Sequence, residues 1–151
     1  MGAVMEIRAA DAALEPAGNA DIPVLAGFYV QMYAAHGHRI GPEAASAKLA
    51  KMLQAPGQSA LMFKHGERPL GFVIWVDLGD HVFIRNYVID AAHRGRGLGS
   101  ALFARLRDEI LPPGRPVRLE ATADPSLRFW KAQGFSAWSS GMRSDAIEEH
   151  S

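Results

Sequence analysis

The chain contains no cysteine. Disulfides, thiolate zinc sites and a cysteine nucleophile are therefore excluded, and the absence fits a reducing, cytoplasmic setting. The chain also lacks an excess of either charge. Sixteen lysines and arginines balance sixteen aspartates and glutamates, which argues against a basic nucleic-acid coat protein. No apolar run approaches the ~20 residues that cross a bilayer. The first ten residues carry Glu6 and Arg8 and hold no apolar core of signal-peptide length. Repeats, linkers and low-complexity blocks are missing too. The remainder has ordinary globular proportions, 48% hydrophobic and 21% charged over 151 residues. This predicts one domain spanning residues 1–151, soluble and cytoplasmic, without membrane or nucleic-acid partners. Oligomeric state is open, a homodimer included.

The pattern along the chain predicts a strand over Met5–Arg8 and a loop over Asp11–Asn19, which is rich in Ala, Pro and Gly. Asp21 and Pro23 suit a helix start, and Val24, Leu25, Phe28, Met32 and Tyr33 follow at helical spacing. Pro42 opens a second helix with a stripe of Ala45, Leu49, Met52 and Leu53, and Pro56-Gly57 stops it. Three closely spaced strands come next, Ala60–Lys64, Leu70–Val76 and His81–Ile89, which implies an antiparallel meander. From Gly97 the period turns helical as far as Ile110. Val117–Ala121 reads as a buried strand, Pro125–Gln133 as a short helix and Ser136–Arg143 as a last strand. A β-α-β unit after antiparallel strands predicts an α/β fold with a mixed sheet and one parallel pair.

The segment from Tyr87 to Ser100 is strand, tight loop and helix start. Gly95, Gly97 and Gly99 alternate, with Arg94 and Arg96 among them. Glycines let a ligand approach the backbone, and the first amides of a helix point outward with the positive end of its dipole. Either the glycines make a turn with solvated arginines, or the segment cradles a pyrophosphate. The coincidence of strand, arginines and amphipathic helix favours the cradle. A P-loop is excluded, because no Gly-Lys-Ser/Thr ends the loop. A Rossmann-like nucleotide site is the rival, with Glu120 about twenty residues on. Against it, Ser100 stands where the third glycine belongs, and too little chain follows to complete a doubly wound sheet.

The run Arg94-Gly95-Arg96-Gly97-Leu98-Gly99 resembles motif A of the GCN5-related N-acetyltransferases (GNAT), Gln/Arg-x-x-Gly-x-Gly/Ala. Ser126 to Phe135, with Phe129-Trp130 and Gly134-Phe135, resembles their motif B. The resemblance covers nearly the whole chain. It implies a mostly antiparallel mixed sheet with one splayed parallel pair flanked by helices. It also implies acetyl-CoA as co-substrate, a small-molecule or peptide amine as acceptor, and no metal. The residues implied for the cofactor are Val88, Ile89, Arg94, Gly95, Arg96, Gly97, Leu98, Gly99, Ser100, Phe129 and Trp130. An N–H near Ile89 would polarise the thioester carbonyl. Two departures stand out: Ala123 where motif B often has Asn, and Trp130 where a Tyr is usual. Indole cannot give up a proton as phenol does.

Glu120 is the candidate base and Tyr87 a candidate proton donor, Tyr33 being another. A salt bridge or a solvated strand end is the alternative reading of Glu120. His81, Asp77 and Asp80 read as turn residues, and His36 and His38 as a loop pair without a third metal ligand. Trp75, Phe83 and Trp138 read as core or acceptor-pocket walls. A CoA-binding regulator without turnover is the alternative function.

Overall fold

The computed structural model describes residues 7–120, 124–138 and 141–144. Seven strands form one sheet among them: β1 (Ala13–Pro16), β2 (Gln58–His65), β3 (Arg68–Asp77), β4 (Val82–Ile89), β5 (Val117–Leu119), β6 (Phe135–Trp138) and β7 (Gly141–Ser144). Their order across the sheet is β1-β2-β3-β4-β5-β7-β6. Only β4 and β5 run parallel; the other neighbours are antiparallel. This is the expected mixed sheet and not a doubly wound one, so the Rossmann alternative falls.

Four helices cover the sheet: α1 (Ile22–Ala35), α2 (Pro42–Gln54), α3 (Leu98–Glu109) and α4 (Asp124–Ala132). On one face, Leu25, Phe28 and Tyr29 of α1 and Leu49 of α2 bury against Met62, Phe72, Ile74 and Val88. On the other, Leu98, Leu102, Phe103 and Leu106 of α3 meet Val73, Trp75, Val82, Ile84 and Leu119. The spacing 98, 102, 106 is one stripe of a 3.6-residue period. Val24 falls outside its expected stripe and is exposed. No described helix is long and apolar enough to cross a membrane.

Three expectations need correction. The first described strand is β1, in the segment read as a loop, while Ile7 and Arg8 lie outside any strand and Met5 and Glu6 outside the described residues. β1 exists because Ala13 to Pro16 pair antiparallel with Lys64 to Leu61 at the sheet edge. Edge pairing tolerates a terminal proline that local composition reads as a breaker. The single strand expected over Ser136–Arg143 is a hairpin, β6 and β7, whose inner strand pairs with β5. Asp21 does not cap α1; its carboxylate accepts from the Gly18 N–H at 2.9 Å.

Candidate active site

β4 and β5 pair only over Val82↔Val117, Phe83↔Arg118 and Ile84↔Leu119. Beyond Leu119 the strand ends, while β4 continues to Ile89. The parting coincides with a β-bulge. Register between β3 and β4 jumps from Ile74↔Asn86 to Trp75↔Ile84, leaving Arg85 as the extra residue. A bulge bends its strand and raises its twist, so β4 turns away from β5 just past their last contact.

The freed edge of β4 has a defined polarity. Asp90 N–H donates to Leu70 O at 2.7 Å. In an antiparallel ladder neighbouring residues alternate in direction, so Ile89 turns its N–H and C=O away from β3, toward the gap. The Ile89 carbonyl accepts from Arg94 Nε at 2.9 Å. Among the described residues no strand pairs with its N–H.

A cleft of about 660 Å³ occupies this gap, running from the end of α1 to the loop before α3. Gly95 and Gly97 have φ of 78° and 79°, a left-handed conformation that costs other residues dearly. A Cβ on Gly97 would meet nothing within 4 Å, whereas one on Gly99 would come within 3.3 Å of the Phe129 ring. The first two glycines thus shape the loop, and the third lets α4 pack close. The amides of Leu98, Gly99 and Ser100 form the first turn of α3 and have no partner within the helix. Ser100 Oγ accepts from Gln133 Nε2 at 2.7 Å, tying the end of α4 to the start of α3.

Of the residues expected to bind the cofactor, Val88, Ile89, Arg94, Gly95, Gly97, Gly99, Ser100, Phe129 and Trp130 line this cleft. Arg96 is exposed outside it, and the Leu98 side chain is buried in the core. Trp130 sits in an aromatic cluster, its ring 4.9 Å from Phe129, 5.1 Å from Phe103 and Phe135, and 5.5 Å from Tyr87. Tyr87 donates its hydroxyl to Gly99 O at 2.6 Å. Burial pushes the Tyr87 phenol well above its ordinary value, because phenolate would be left without water.

Glu120 lies just past β5, exposed and at the cleft wall. His36 lines the cleft at the end of α1; His38 does not. Tyr33 packs on Tyr29 at 5.2 Å, and burial with the neighbouring Tyr33 hydroxyl pushes the Tyr29 phenol up to about 12. His81 bonds Asp80 at 2.7 Å, and Asp77 accepts from the Gly79 N–H and from Arg115. Asp77 ends β3, Asp80 and His81 lie in the turn after it, and none of the three lines the cleft. Trp75 is core, and Phe83 lies under the Arg85 guanidinium. The Trp138 side chain and Ala123 fall outside the described residues. Among the described residues no three His, Asp or Glu side chains gather as metal ligands would.

Sequence reading did not assign Arg85, Asn86, Arg128 or Met32 to the site, although all of them line the cleft. Arg-Asn interrupting the apolar run of β4 was the available signal for the first two. It also missed Gln31 of α1, which clamps the loop by donating to Asp90 Oδ1 at 3.1 Å and accepting from the Ala91 N–H at 2.8 Å.

This geometry has close counterparts. An acetyltransferase from Thermus thermophilus superposes with a TM-score of 0.70 at 20% identity, over 87% of this chain and 92% of that one. The ribosomal-protein-S18-alanine N-acetyltransferase of Escherichia coli gives 0.64 at 19%, over 85% and 79%. Tetrahymena GCN5 gives 0.65 at 11%, over 87% and 94%. No curated protein matches the sequence. The family model described as acetyltransferase (GNAT) family matches residues 28–135. That stretch is most of the chain and holds the splayed strands, the glycine loop and the aromatic cluster. The chain therefore belongs to the GNAT acetyltransferase family.

Proposed function

We propose that the protein moves the acetyl group of acetyl-CoA directly to a primary amine. The observation that carries this reading is the parting of β4 from β5 beside a left-handed glycine loop. The gap is the right kind of space for an extended pantetheine arm. The amides of Leu98 to Ser100, with Arg94 and Arg128 alongside, suit a pyrophosphate. Bound acetyl-CoA supplies the activated thioester. The Ile89 N–H, turned toward the gap, would donate to the carbonyl oxygen as negative charge develops on it.

Neutral amine is scarce at physiological pH, so a base raises the rate. Glu120, at the cleft wall beyond the last β4–β5 pair, takes that role in this reading, directly or through one water. Tyr87 is a poor proton donor, because its hydroxyl is committed to Gly99 O and burial holds its proton. Thiolate release then relies on solvent.

Calorimetry with acetyl-CoA, together with thiol release in the presence of a panel of amines, tests the proposal. Binding with turnover supports it; binding without turnover on any amine leaves a CoA-binding regulator instead. Glu120→Gln should lower kcat by roughly a hundredfold near neutral pH, with partial recovery at high pH as free amine becomes abundant. A coincident pH–rate profile with unchanged kcat would remove Glu120 from the mechanism.

A further inference from the structure

The bulge in β4 does more than open the gap. On a regular strand successive side chains alternate between faces. Here Arg85 and Asn86, adjacent in sequence, both face α1 and α2. Asn86 Nδ2 lies 3.9 Å from the Met32 sulfur of α1, and Arg85 borders a second cavity against α2. That cavity measures about 310 Å³ and is walled by Tyr29, Lys48, Lys51, Met52 and Gln58. Arg85 lines it and the main cleft alike, with its guanidinium over the Phe83 ring.

The chemistry on this side is one-sided. Three cations face the second cavity, Lys48 and Lys51 one turn apart on α2 and Arg85 across from them, and no carboxylate among the described residues lines it. None of the three forms an ion pair among the described residues. Two hydrogen-bond acceptors on this side, Asn86 Oδ1 and Gln58 Oε1, are buried without donors. Buried acceptors are normally satisfied, so an unpaired amide at either position gains by turning to meet a ligand N–H or O–H. The site is separate from the phosphate loop, since Ile89 stands four residues beyond Arg85, ~13 Å along an extended strand.

From this juxtaposition we propose that the acceptor is a small primary amine carrying an anionic group, carboxylate or phosphate. Arg85, Lys48 and Lys51 hold the anion, and Asn86 accepts a hydrogen bond from the amine end at the mouth of the transfer cleft. A ligand of both charges satisfies the cations and the orphan acceptors together; a polyamine would meet like charge at Arg85. The proposal rests on the amine-acetylating reading above and supplies its substrate class. Asn86 and Arg85 are specificity residues here, with no part in proton transfer.

The test uses the full chain saturated with CoA, so that the phosphate loop is already filled. O-phosphoethanolamine, β-alanine and uncharged-tail ethanolamine are titrated by calorimetry. Wild type should bind at least one of the two anionic amines roughly tenfold or more tightly than ethanolamine, and the phosphate and carboxylate arms show which anion fits. The combined variant Lys48→Ala, Lys51→Ala, Arg85→Ala changes exposed side chains only. It should lose the preference; the double variant Lys48→Ala, Lys51→Ala, which leaves the lining of the main cleft untouched, should weaken the preference with CoA affinity unchanged, and Arg85→Lys should retain most of it. Equal binding of charged and neutral amines, no binding of any of them at millimolar concentration, or a preference that survives the triple variant would each overturn the proposal. If CoA itself fails to bind, the acetyl-transfer reading falls instead, and the same amine titrations without CoA still decide whether the cationic cavity selects an anion.

Discussion

Toward α3 and α4, β4 presents Tyr87 to a continuous aromatic cluster of Phe63, Phe103, Phe129 and Trp130, with ring centres 5.5 to 6.0 Å from its own. Toward α1 and α2, the same strand presents Asn86 to one methionine sulfur and Arg85 to a cavity of lysines. The first face is over-determined. Tyr87, Phe103 and Trp130 each have several ring partners, the one phenol hydroxyl is satisfied, and the glycine loop is pinned to it through Gly99 and Ser100. The second face is under-satisfied, with buried acceptors that lack donors and cations that lack carboxylates among the described residues. Rigid packing suits a face that always receives the same cofactor. Unmet polar groups suit a face that selects a variable partner, because they gain most when one arrives.

Several changes break or sharpen this contrast. The largest effect should come from Gly71→Ala, which strikes the β3–β4 ladder beneath both faces. Its Cβ would lie 2.1 Å from Val88 O, a clash with backbone that cannot rotate aside. A loss on the order of 3 kcal/mol or more is expected, with both cavities lost together. Thermal unfolding measures it, and a variant as stable as wild type would refute the close approach.

Gly97→Val should separate cofactor binding from folding. Left-handed φ makes valine strained there by ~1–3 kcal/mol, yet a Cβ there meets nothing within 4 Å. Acetyl-CoA affinity should fall by roughly a hundredfold or more, about 2.7 kcal/mol, in a chain that still folds. Unchanged affinity by calorimetry in the folded variant would show that the loop does not carry the cofactor.

Trp130→Phe and Tyr87→Phe test whether the aromatic face packs or reacts. The first removes volume from a filled cluster and should cost ~1–3 kcal/mol. The second strips one hydrogen bond from Gly99 O and should cost ~1 kcal/mol. Both should keep kcat within about tenfold of wild type, since neither side chain is a proton donor in the proposed mechanism. A drop of several hundredfold in a variant that still binds acetyl-CoA would restore either one as an acid.

The smallest effect belongs to Glu109 of α3, which bonds Arg105 through both oxygens at 2.7 and 2.9 Å. Arg105 in turn holds the Ala9 and Ala12 carbonyls of the N-terminal segment against α3. The guanidinium keeps the Glu109 carboxyl below its ordinary range. A depressed carboxyl stabilises the fold above its unfolded value, and the contribution disappears as pH falls through the folded value. Glu109→Gln should therefore be slightly less stable than wild type at neutral pH and converge with it in acid. Denaturation curves across that range would detect it, and a constant gap at every pH would show that the ion pair is not its cause.

The glycine-loop side was legible in sequence because its signals are local. Alternating glycines beside arginines dictate a loop of exposed amides within a dozen residues, and the stripe Leu98, Leu102, Leu106 dictates the helix face that anchors it. Strand β1 was not legible, because Ala-Leu-Glu-Pro has no strand pattern of its own and is extended only by pairing with β2. The bulge was not legible either. It is a relation between two strands, fixed by which residue of β3 lies opposite Asn86. The sequence by itself determined that this chain makes a strand, a phosphate-type loop and an amphipathic helix in that order, since those depend on short-range sterics and periodicity. Only the tertiary structure decided that β4 parts from β5 after Ile84. The same folding put Glu120 on the wall of that gap and turned Arg85 and Asn86 together toward α1 and α2. Each of these requires register and burial to be settled between segments dozens of residues apart.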